Sequence, residues 1–323
     1  MKKFGNQELY SWYNKNIMKN YPEFPDFKPL EITDRDFIRE ILWSYQPEVS
    51  ELTFTNFFIW RNYYHFYWTV LHGCFITYYR DRDGSLSATQ PVGNGDRVKA
   101  VSEILKFLRK EKEQKQPEIR RADKRIVSEL IKSGEYQIEP NRDYFDYVYR
   151  TEDLIKLPGR KYHNKRNHIS QFIKKYEFQY RPLQQEFIPE CLNLSNVWCT
   201  MRKCEEDPGL MGEQQAIFEA LNNFDQLSLN GGVILVNGRV EAFSIGELLN
   251  KDTAVIHIEK ANPEIPHLYA LINQQFAENT WLNTKWINRE EDLGEENLRR
   301  AKESYYPDHL VEKFTISKVN PAD

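Results

Sequence analysis

The stretch that decides the fold runs from Leu227 to Lys260: LSLNGGVILVNGRVEAFSIGELL (227–249), then DTAVIHIEK (252–260). Two alternating apolar runs flank Asn237-Gly238, a dipeptide that tolerates the positive φ angles of a two-residue hairpin turn. The third run reads as another strand. Directly after it, PEIPHLYALINQQFAEN (263–279) reads as a helix. Strand, strand, strand, helix predicts a mixed sheet with a helix laid on one face.

Working outward, FQYRPL (178–183) is an opening strand, and IPECLNLSNVWCTMRK (188–203) and EQQAIFEALNNF (213–224) are helices. On the far side come the strand TKWIN (284–288), the helix GEENLRRAKESY (294–305) and a closing strand, DHLVEKFTI (308–316). The first half reads in the same order. FKPLEI (27–32) is a strand, DRDFIREILWSY (34–45) a helix, and a shorter helical stretch follows from Leu52 to Trp60. The strands NYYHFYWTVL (62–71), GCFITYYRD (73–81) and SLSATQ (85–90) come next, with a DRDG turn at 81–84. RVKAVSEILKFLRKEKEQ (97–114) is a helix, EIRRA (118–122) a strand, DKRIVSELIKSG (123–134) a helix, and YQIEP with DYFDYVYR (136–150) a strand pair. The order β-α-α-β-β-β-α-β-α-β thus occurs twice. It predicts an α/β (α+β) chain of two domains, 1–150 and 176–323, joined by a helical connector over 151–175. The order is similar to that of GNAT-type N-acyltransferases, so two tandem GNAT-like domains are expected, each a twisted mixed sheet flanked by helices. In such a sheet two strands diverge and leave a wedge beside a helix N-terminus, which suits the phosphates of an acyl carrier.

Composition narrows the function. The chain has 323 residues, a formal net charge of −4 and 40% hydrophobic residues, which excludes wholesale disorder and a surface given over entirely to nucleic acid. No run approaches the roughly 18 apolar residues of a membrane span. The opening MKKFGNQELYSWYNKN has no apolar run, so no secretory signal is expected and a cytoplasmic location follows. Cys74, Cys191, Cys199 and Cys204 are too few and too irregular for a disulfide scaffold, and no second ligand pair accompanies Cys199 and Cys204. They read as buried or idle thiols, and no metal site is expected. The nine aromatics between Phe54 and Trp68 read mainly as core, with spare rings available to a base or a membrane surface.

Three places carry candidate chemistry. The loop Gln90-Pro91-Val92-Gly93-Asn94-Gly95 fits the Gln/Arg-x-x-Gly-x-Gly pattern by which GNAT enzymes hold the pyrophosphate of acyl-CoA. Gln90, Gly93 and Gly95 are therefore candidate cofactor contacts, and a structural turn capped by Asp96 is the alternative. At the corresponding place in the second half, His257, Glu259 and Asn262 stand around the end of a central strand. An acyltransferase puts its base and its orienting groups there. Partial solvation by simple strand alternation is the other reading. Asn288, Arg289 and Glu290 lie beside the same wedge as possible substrate contacts. Third, KLPGRKYHNKRNHISQFIKK (156–175) holds seven Lys and Arg and no acid. Arg160, Lys161, Tyr162, His163, Lys165, Arg166 and Asn167 are read as binding an anion: phosphate, nucleotide, RNA or lipid headgroup. A solvated helix paired with Glu205, Glu206 and Asp207 is the alternative.

At PGRKYHNKRNHI (158–169), GRVEAFSIGE (238–247), AVIHIEKANPEI (254–265), ALINQQF (270–276), INREEDLG (287–294) and LVEKF (310–314), the chain resembles a bacterial family. That family is named after the C-terminal catalytic domain of phosphatidylglycerol lysyltransferases. The resemblance implies a tandem GNAT fold, shared with Fem-type aminoacyltransferases, which move an amino acid from aminoacyl-tRNA to an amine or hydroxyl. Glu241-Ala242-Phe243 is similar to a small-aromatic segment of the lipid-modifying enzymes. Lys260 matches a basic residue at their central strand end. His257 stands in place of an acid and His267 in place of a glycine, so lysyl transfer to phosphatidylglycerol itself is not implied. Nor is lipid flipping, since the membrane-embedded half of those enzymes has no counterpart here. The expectation is an acyl- or aminoacyltransferase whose donor is aminoacyl-tRNA or acyl-CoA. Glu259 or His257 would take the acceptor's proton and backbone amides would hold the oxyanion. A non-catalytic module that binds tRNA, CoA or a lipid headgroup, with peripheral membrane contact, is the rival.

Overall fold

A computed structural model describes residues 21–81 and 83–319. The opening stretch MKKFGNQELYSWYNKN lies outside them. The strands are β1 (Lys28–Pro29), β2 (Tyr67–Leu71), β3 (Cys74–Arg80), β4 (Leu86–Ala88), β5 (Glu118–Ala122), β6 (Tyr136–Pro140), β7 (Asp146–Arg150), β8 (Phe178–Pro182), β9 (Asn230–Val236), β10 (Arg239–Leu248), β11 (Thr253–Ala261), β12 (Trp286–Asn288), β13 (His309–Val311) and β14 (Phe314–Lys318). The helices are α1 (Arg35–Tyr45), α2 (Phe54–Ile59), α3 (Arg61–Tyr64), α4 (Arg97–Lys110), α5 (Lys124–Leu130), α6 (Thr151–Lys156), α7 (His163–Lys175), α8 (Ile188–Arg202), α9 (Pro208–Asn222), α10 (Phe224–Leu227), α11 (Leu268–Thr280) and α12 (Glu296–Glu303).

The hairpin that opens the reading forms as expected. Asn237 and Gly238 take φ of 51° and 77°, and Arg239 pairs with Val236. Among the described residues two mixed sheets form, in the orders β1-β2-β3-β4-β5-β14-β6 and β13-β7-β12-β11-β10-β9-β8. Read from β8, the second sheet repeats the first strand for strand. β4 pairs with β5 in parallel and β11 with β12 in parallel, while the neighbouring ladders are antiparallel.

Two strands differ from their sequence reading. DYFDYVYR does not close the first sheet, because β7 runs between β12 and β13 of the second. DHLVEKFTI is not one strand, because it breaks at Glu312–Lys313 and β14 enters the first sheet between β5 and β6. Each sheet therefore contains one strand from the other half's sequence. The crossing point explains the break. Lys313 is fully buried there, and its ammonium lies 2.6 Å from Glu51, 2.7 Å from Asp146 and 3.2 Å from Glu291. Burial alone would expel this ammonium, but three carboxylates reverse the balance and hold its pKa far above the ordinary lysine value. Those three acids approach one another closely enough for a cation, and the ammonium of Lys313 occupies that place.

Three apolar cores result. One lies between α4, α5 and the first sheet, through Ile76, Ile104, Leu108, Ile119, Ile126 and Ile316. Another joins α7 and α11 to the second sheet, through Ile169, Phe172, Leu271, Phe276 and Ile287. The central core is shared, since Phe54, Phe57, Trp68 and Phe75 of the first half pack in one cluster with Ile217, Leu221, Phe243 and Ile258 of the second. Most of the aromatic run 54–68 is buried in this cluster, as read, at roughly 1.5–3 kcal/mol for each fully buried large apolar side chain. Cys199 and Cys204 are joined as a disulfide at the C-terminal turn of α8, correcting their reading as idle thiols, whereas Cys74 and Cys191 are free and buried. No helix among the described residues is long and apolar enough to cross a membrane.

Candidate functional site

The parallel ladder between β11 and β12 covers Thr253–Trp286, Ala254–Ile287 and Val255–Asn288 and then stops. β11 continues to Ala261 against β10, while the chain after Asn288 turns through Glu290, whose φ is 58°. This divergence is the second wedge. Two ion pairs span it: Glu259 to Arg289 at 3.0 Å and His257 to Glu290 at 2.8 Å. The facing loop is held from behind by Lys302 of α12. Its ammonium donates to the carbonyl oxygens of Arg289, Glu290 and Glu291. Each side chain of the loop then serves a different partner. Arg289 reaches Glu259, Glu290 reaches His257, Glu291 reaches Lys313, and Asp292 accepts from Arg299 and Tyr147.

His257 is buried, and its Nε2 also meets Glu247 at 3.1 Å. Burial works against its charge, but the hydrogen bonds to Glu247 and Glu290 outweigh that and raise its pKa to about 9. At neutral pH the ring is an imidazolium with both N–H groups donated, so it has no lone pair for an acceptor's proton. The expectation of His257 as a base meets this obstacle because its partners lie far away in sequence.

Glu259 is held at both oxygens, Oε1 by Arg289 Nη2 and Oε2 by Asn273 Nδ2 of α11 at 3.2 Å. Both partners keep one polar atom unspent. Arg289 Nη1 and Asn273 Oδ1 are buried without a hydrogen-bond partner. A buried polar atom left unmade costs about 1–3 kcal/mol, and here both such atoms sit on the two partners of Glu259. Asn273 was not read as a site residue from sequence. Its signal was a polar side chain among the buried positions Leu271, Ile272 and Phe276 of α11.

The connector divides into three groups. Tyr162 is fully buried, and its hydroxyl donates to the Tyr305 carbonyl. Arg166 donates to the carbonyls of Leu157 and Gly159, capping the end of the preceding turn. Tyr162 is spent inside the fold, whereas Arg166 is exposed and spends Nη1 on these two carbonyls. Arg160, Lys161, His163 and Asn167 are exposed; Lys161 lies over the rings of Tyr162 and Tyr306, and His163 meets Asn167 at 3.0 Å. Lys165 alone of the connector cations turns toward the wedge. It donates to Ser304 Oγ at 2.7 Å and lies 3.8 Å from the centre of the Tyr305 ring, which Arg289 also approaches at 5.0 Å. One turn further along α7, His168 stacks on His267 at the start of α11, with ring centres 4.4 Å apart.

The other candidates separate in the same way. Asn288 is fully buried and bonds Asp146, the Glu48 carbonyl and the Glu290 amide, so it shapes the loop and cannot meet a substrate. Asn262 bonds Glu241 and the Glu264 amide in a turn. Lys260 faces away from Glu259, pairing with Glu213 at 2.9 Å beneath the ring of Trp198.

At the first wedge the glycine loop is a structural turn. Val92 exchanges two backbone hydrogen bonds with Phe75, and the Asp96 amide bonds His72. A Cβ on Gly95 would stand 1.8 Å from the His72 carbonyl oxygen, and one on Gly93, whose φ is 141°, would stand 2.9 Å from that of Gly73. Gln90 is buried and accepts the Asp123 amide at 2.7 Å. Gly93 and Gly95 are thus glycines because a hairpin turn lies against them, and Gln90 is spent. This backing accounts for both glycines by the alternative reading, a structural turn.

Against known proteins, residues 44–317 match the family described as phosphatidylglycerol lysyltransferase, C-terminal. A conserved protein of unknown function from Bacteroides thetaiotaomicron superposes with a TM-score of 0.83 at 34% identity, over 90% of this chain and 99% of that one. L-PGS from Bacillus licheniformis shares the fold with a TM-score of 0.60 at 14% identity, over 94% of this chain and 95% of that one. The uncharacterized protein MYCGA3080 of Mycoplasmoides gallisepticum is 23% identical over 197 residues, which are 60% of this chain and 63% of that relative's length.

Proposed function

The chain belongs to the family of phosphatidylglycerol lysyltransferase C-terminal domains, and we propose that it transfers an aminoacyl group from aminoacyl-tRNA to an amine or hydroxyl acceptor at the second wedge. The observation that carries this reading is the pair of unspent atoms beside Glu259. Arg289 Nη1 offers a hydrogen bond to the carbonyl oxygen of an aminoacyl ester, and its charge stabilises the oxyanion that forms there. Asn273 Oδ1 and the carboxylate of Glu259 accept from the α-ammonium of the same group. Such a transfer needs no covalent intermediate.

In this reading residues 176–323 carry the site, 1–150 act as its scaffold, and the connector 151–175 supplies phosphate contacts through the exposed Arg160, Lys161, Lys174 and Lys175. Acyl-CoA is the less favoured donor, since the loop of Gln90, Gly93 and Gly95 is closed on its own hairpin. A lipid headgroup remains a candidate acceptor, reached by peripheral contact, and the cytoplasm is the compartment where charged tRNA is available.

The test is transfer from radiolabelled lysyl-tRNA, with acetyl-CoA as a parallel donor. The acceptors are amino acids, amino sugars and vesicles containing phosphatidylglycerol. Labelled product that depends on tRNA supports the reading. One observation favours the rival, a non-catalytic module: both His257 and Glu259 are already engaged by partners. Binding of lysyl-tRNA without product from any acceptor would decide for that rival.

A further inference from the structure

We infer that Lys165 is the proton acceptor of the second wedge, taking the proton of the attacking amine or hydroxyl and returning it to the leaving hydroxyl. The inference rests on the aminoacyl-transfer reading above. It begins from the engagement of the other candidates: His257 has both ring nitrogens on carboxylates, and Glu259, paired with Arg289 and Asn273, is assigned to the α-ammonium.

Lys165, half-buried, differs from the buried cations around the wedge. Lys260 has Glu213, Arg289 has Glu259, Lys313 has three carboxylates, and Lys302 spends its ammonium on three carbonyls. Among the described residues no carboxylate lies within ion-pair reach of Lys165. Its polar partner is Ser304 Oγ, and Ser304 donates its own hydrogen to the Ala301 carbonyl at 2.6 Å. Ser304 therefore accepts from the amine. That contact orients Nζ over the Tyr305 ring with one N–H and leaves its other positions for a substrate. Arg289 approaches the same ring, and both Arg289 and Glu259 lie near enough to act on the amine electrostatically.

The groups facing Lys165 agree with this role. Burial and the charge of Arg289 lower its pKa to about 8, with Glu259 offsetting part of the effect. His168 of the same helix and His267 of α11 stack nearby, and Lys165 itself helps hold the His168 ring below its ordinary value, after burial and His267. An amine that titrates near the working pH is suited to general base catalysis.

The step balances without a further reagent. The acceptor's lone pair attacks the ester carbonyl carbon, the carbonyl electrons move to oxygen beside Arg289, and the acceptor's proton passes to the neutral Nζ. Collapse re-forms the carbonyl and breaks the bond to the ribose oxygen, which takes the proton from Nζ. The amine is regenerated.

Two measurements on the full chain test this. In the first, trace acetic anhydride labels the wild-type protein between pH 6 and 10, and mass spectrometry follows acetylation of Lys165 and of exposed Lys174. Lys165 is expected to reach half-reactivity near pH 8, against about 10.4 for an ordinary lysine. In the second, Lys165→Arg keeps the charge but cannot accept a proton. Its kcat in lysyl transfer should fall about 10²–10⁴-fold with KM within about threefold, and Lys165→Met should do no better. An ordinary lysine midpoint, or a Lys165→Arg enzyme with wild-type kcat, overturns the assignment even where the wild type turns over. No transfer by the wild type, with a midpoint near pH 8, overturns the transfer reading and the catalytic role together, whereas the first result leaves that reading standing.

Discussion

In the first wedge the β4–β5 ladder ends at Ala88–Ile119, and the gap is closed by a neutral amide, Gln90, whose oxygen accepts the Asp123 amide. In the second the β11–β12 ladder ends at Val255–Asn288, and two ion pairs span the gap. The strand order is the same in both, and in the first wedge the glycines lie against the His72–Gly73 turn. The second keeps a donor on Arg289 and an acceptor on Asn273 without partners. The difference teaches that a repeated topology supplies the same gap twice, and that the side chains crossing it give each gap its own charge and hydrogen bonding.

The comparison can be strained first at the point that joins the two halves. Lys313→Met leaves Glu51, Asp146 and Glu291 buried together without their cation, and should cost about 3–5 kcal/mol in urea unfolding. A loss below about 1 kcal/mol would mean that the crossing strands, and not the charges, hold the halves together.

A pH titration sharpens the second wedge. His257 has a folded pKa of about 9, above its ordinary 6.5, so its contribution to stability is complete below pH 6.5 and is lost as pH rises through 9. Over that interval the wild type should lose of the order of 3 kcal/mol more than His257→Gln, read from denaturation midpoints at fixed ionic strength. Equal slopes for the two proteins would remove the doubly paired imidazolium from the account.

The first wedge is probed by Gly95→Ala, whose methyl meets the His72 carbonyl. The expected effect is a stability loss of about 1–3 kcal/mol with no change in tRNA binding, checked by thermal unfolding and filter binding. The smallest effect belongs to the exposed connector. Lys161→Ala with Lys174→Ala should weaken tRNA binding uniformly and reduce the slope of log affinity against log salt by about 1–2.

Much of this arrangement was legible before any coordinate. Asn237-Gly238 marked the central hairpin, the doubled element order marked two sheets, and Glu259, Lys165 and Arg289 were visible as charges at strand and helix ends. The exchange of β7 and β14 was not, because neither DYFDYVYR nor EKFTI carries any local sign of which distant strand it will pair with. The state of His257 was equally hidden, since its charge depends on Glu247 and Glu290, ten and 33 positions away. Gln90, Gly93 and Gly95 matched a phosphate-binding pattern because a tight turn and a phosphate cradle both call for glycine. The His72 carbonyl lying against Gly95, invisible in the sequence, is what the turn reading needed.

The central claim, that the second wedge works and the first is closed, is tested most directly by paired substitutions in one assay. Transfer from radiolabelled lysyl-tRNA is measured for the wild type, for Arg289→Met, and for Arg97→Gln, which removes the cation bonded to Tyr45 and Glu129 beside the first wedge. The account predicts a fall of about 10²–10³-fold in kcat for Arg289→Met and a change within about threefold for Arg97→Gln. Wild-type transfer by Arg289→Met, or loss confined to Arg97→Gln, would contradict it.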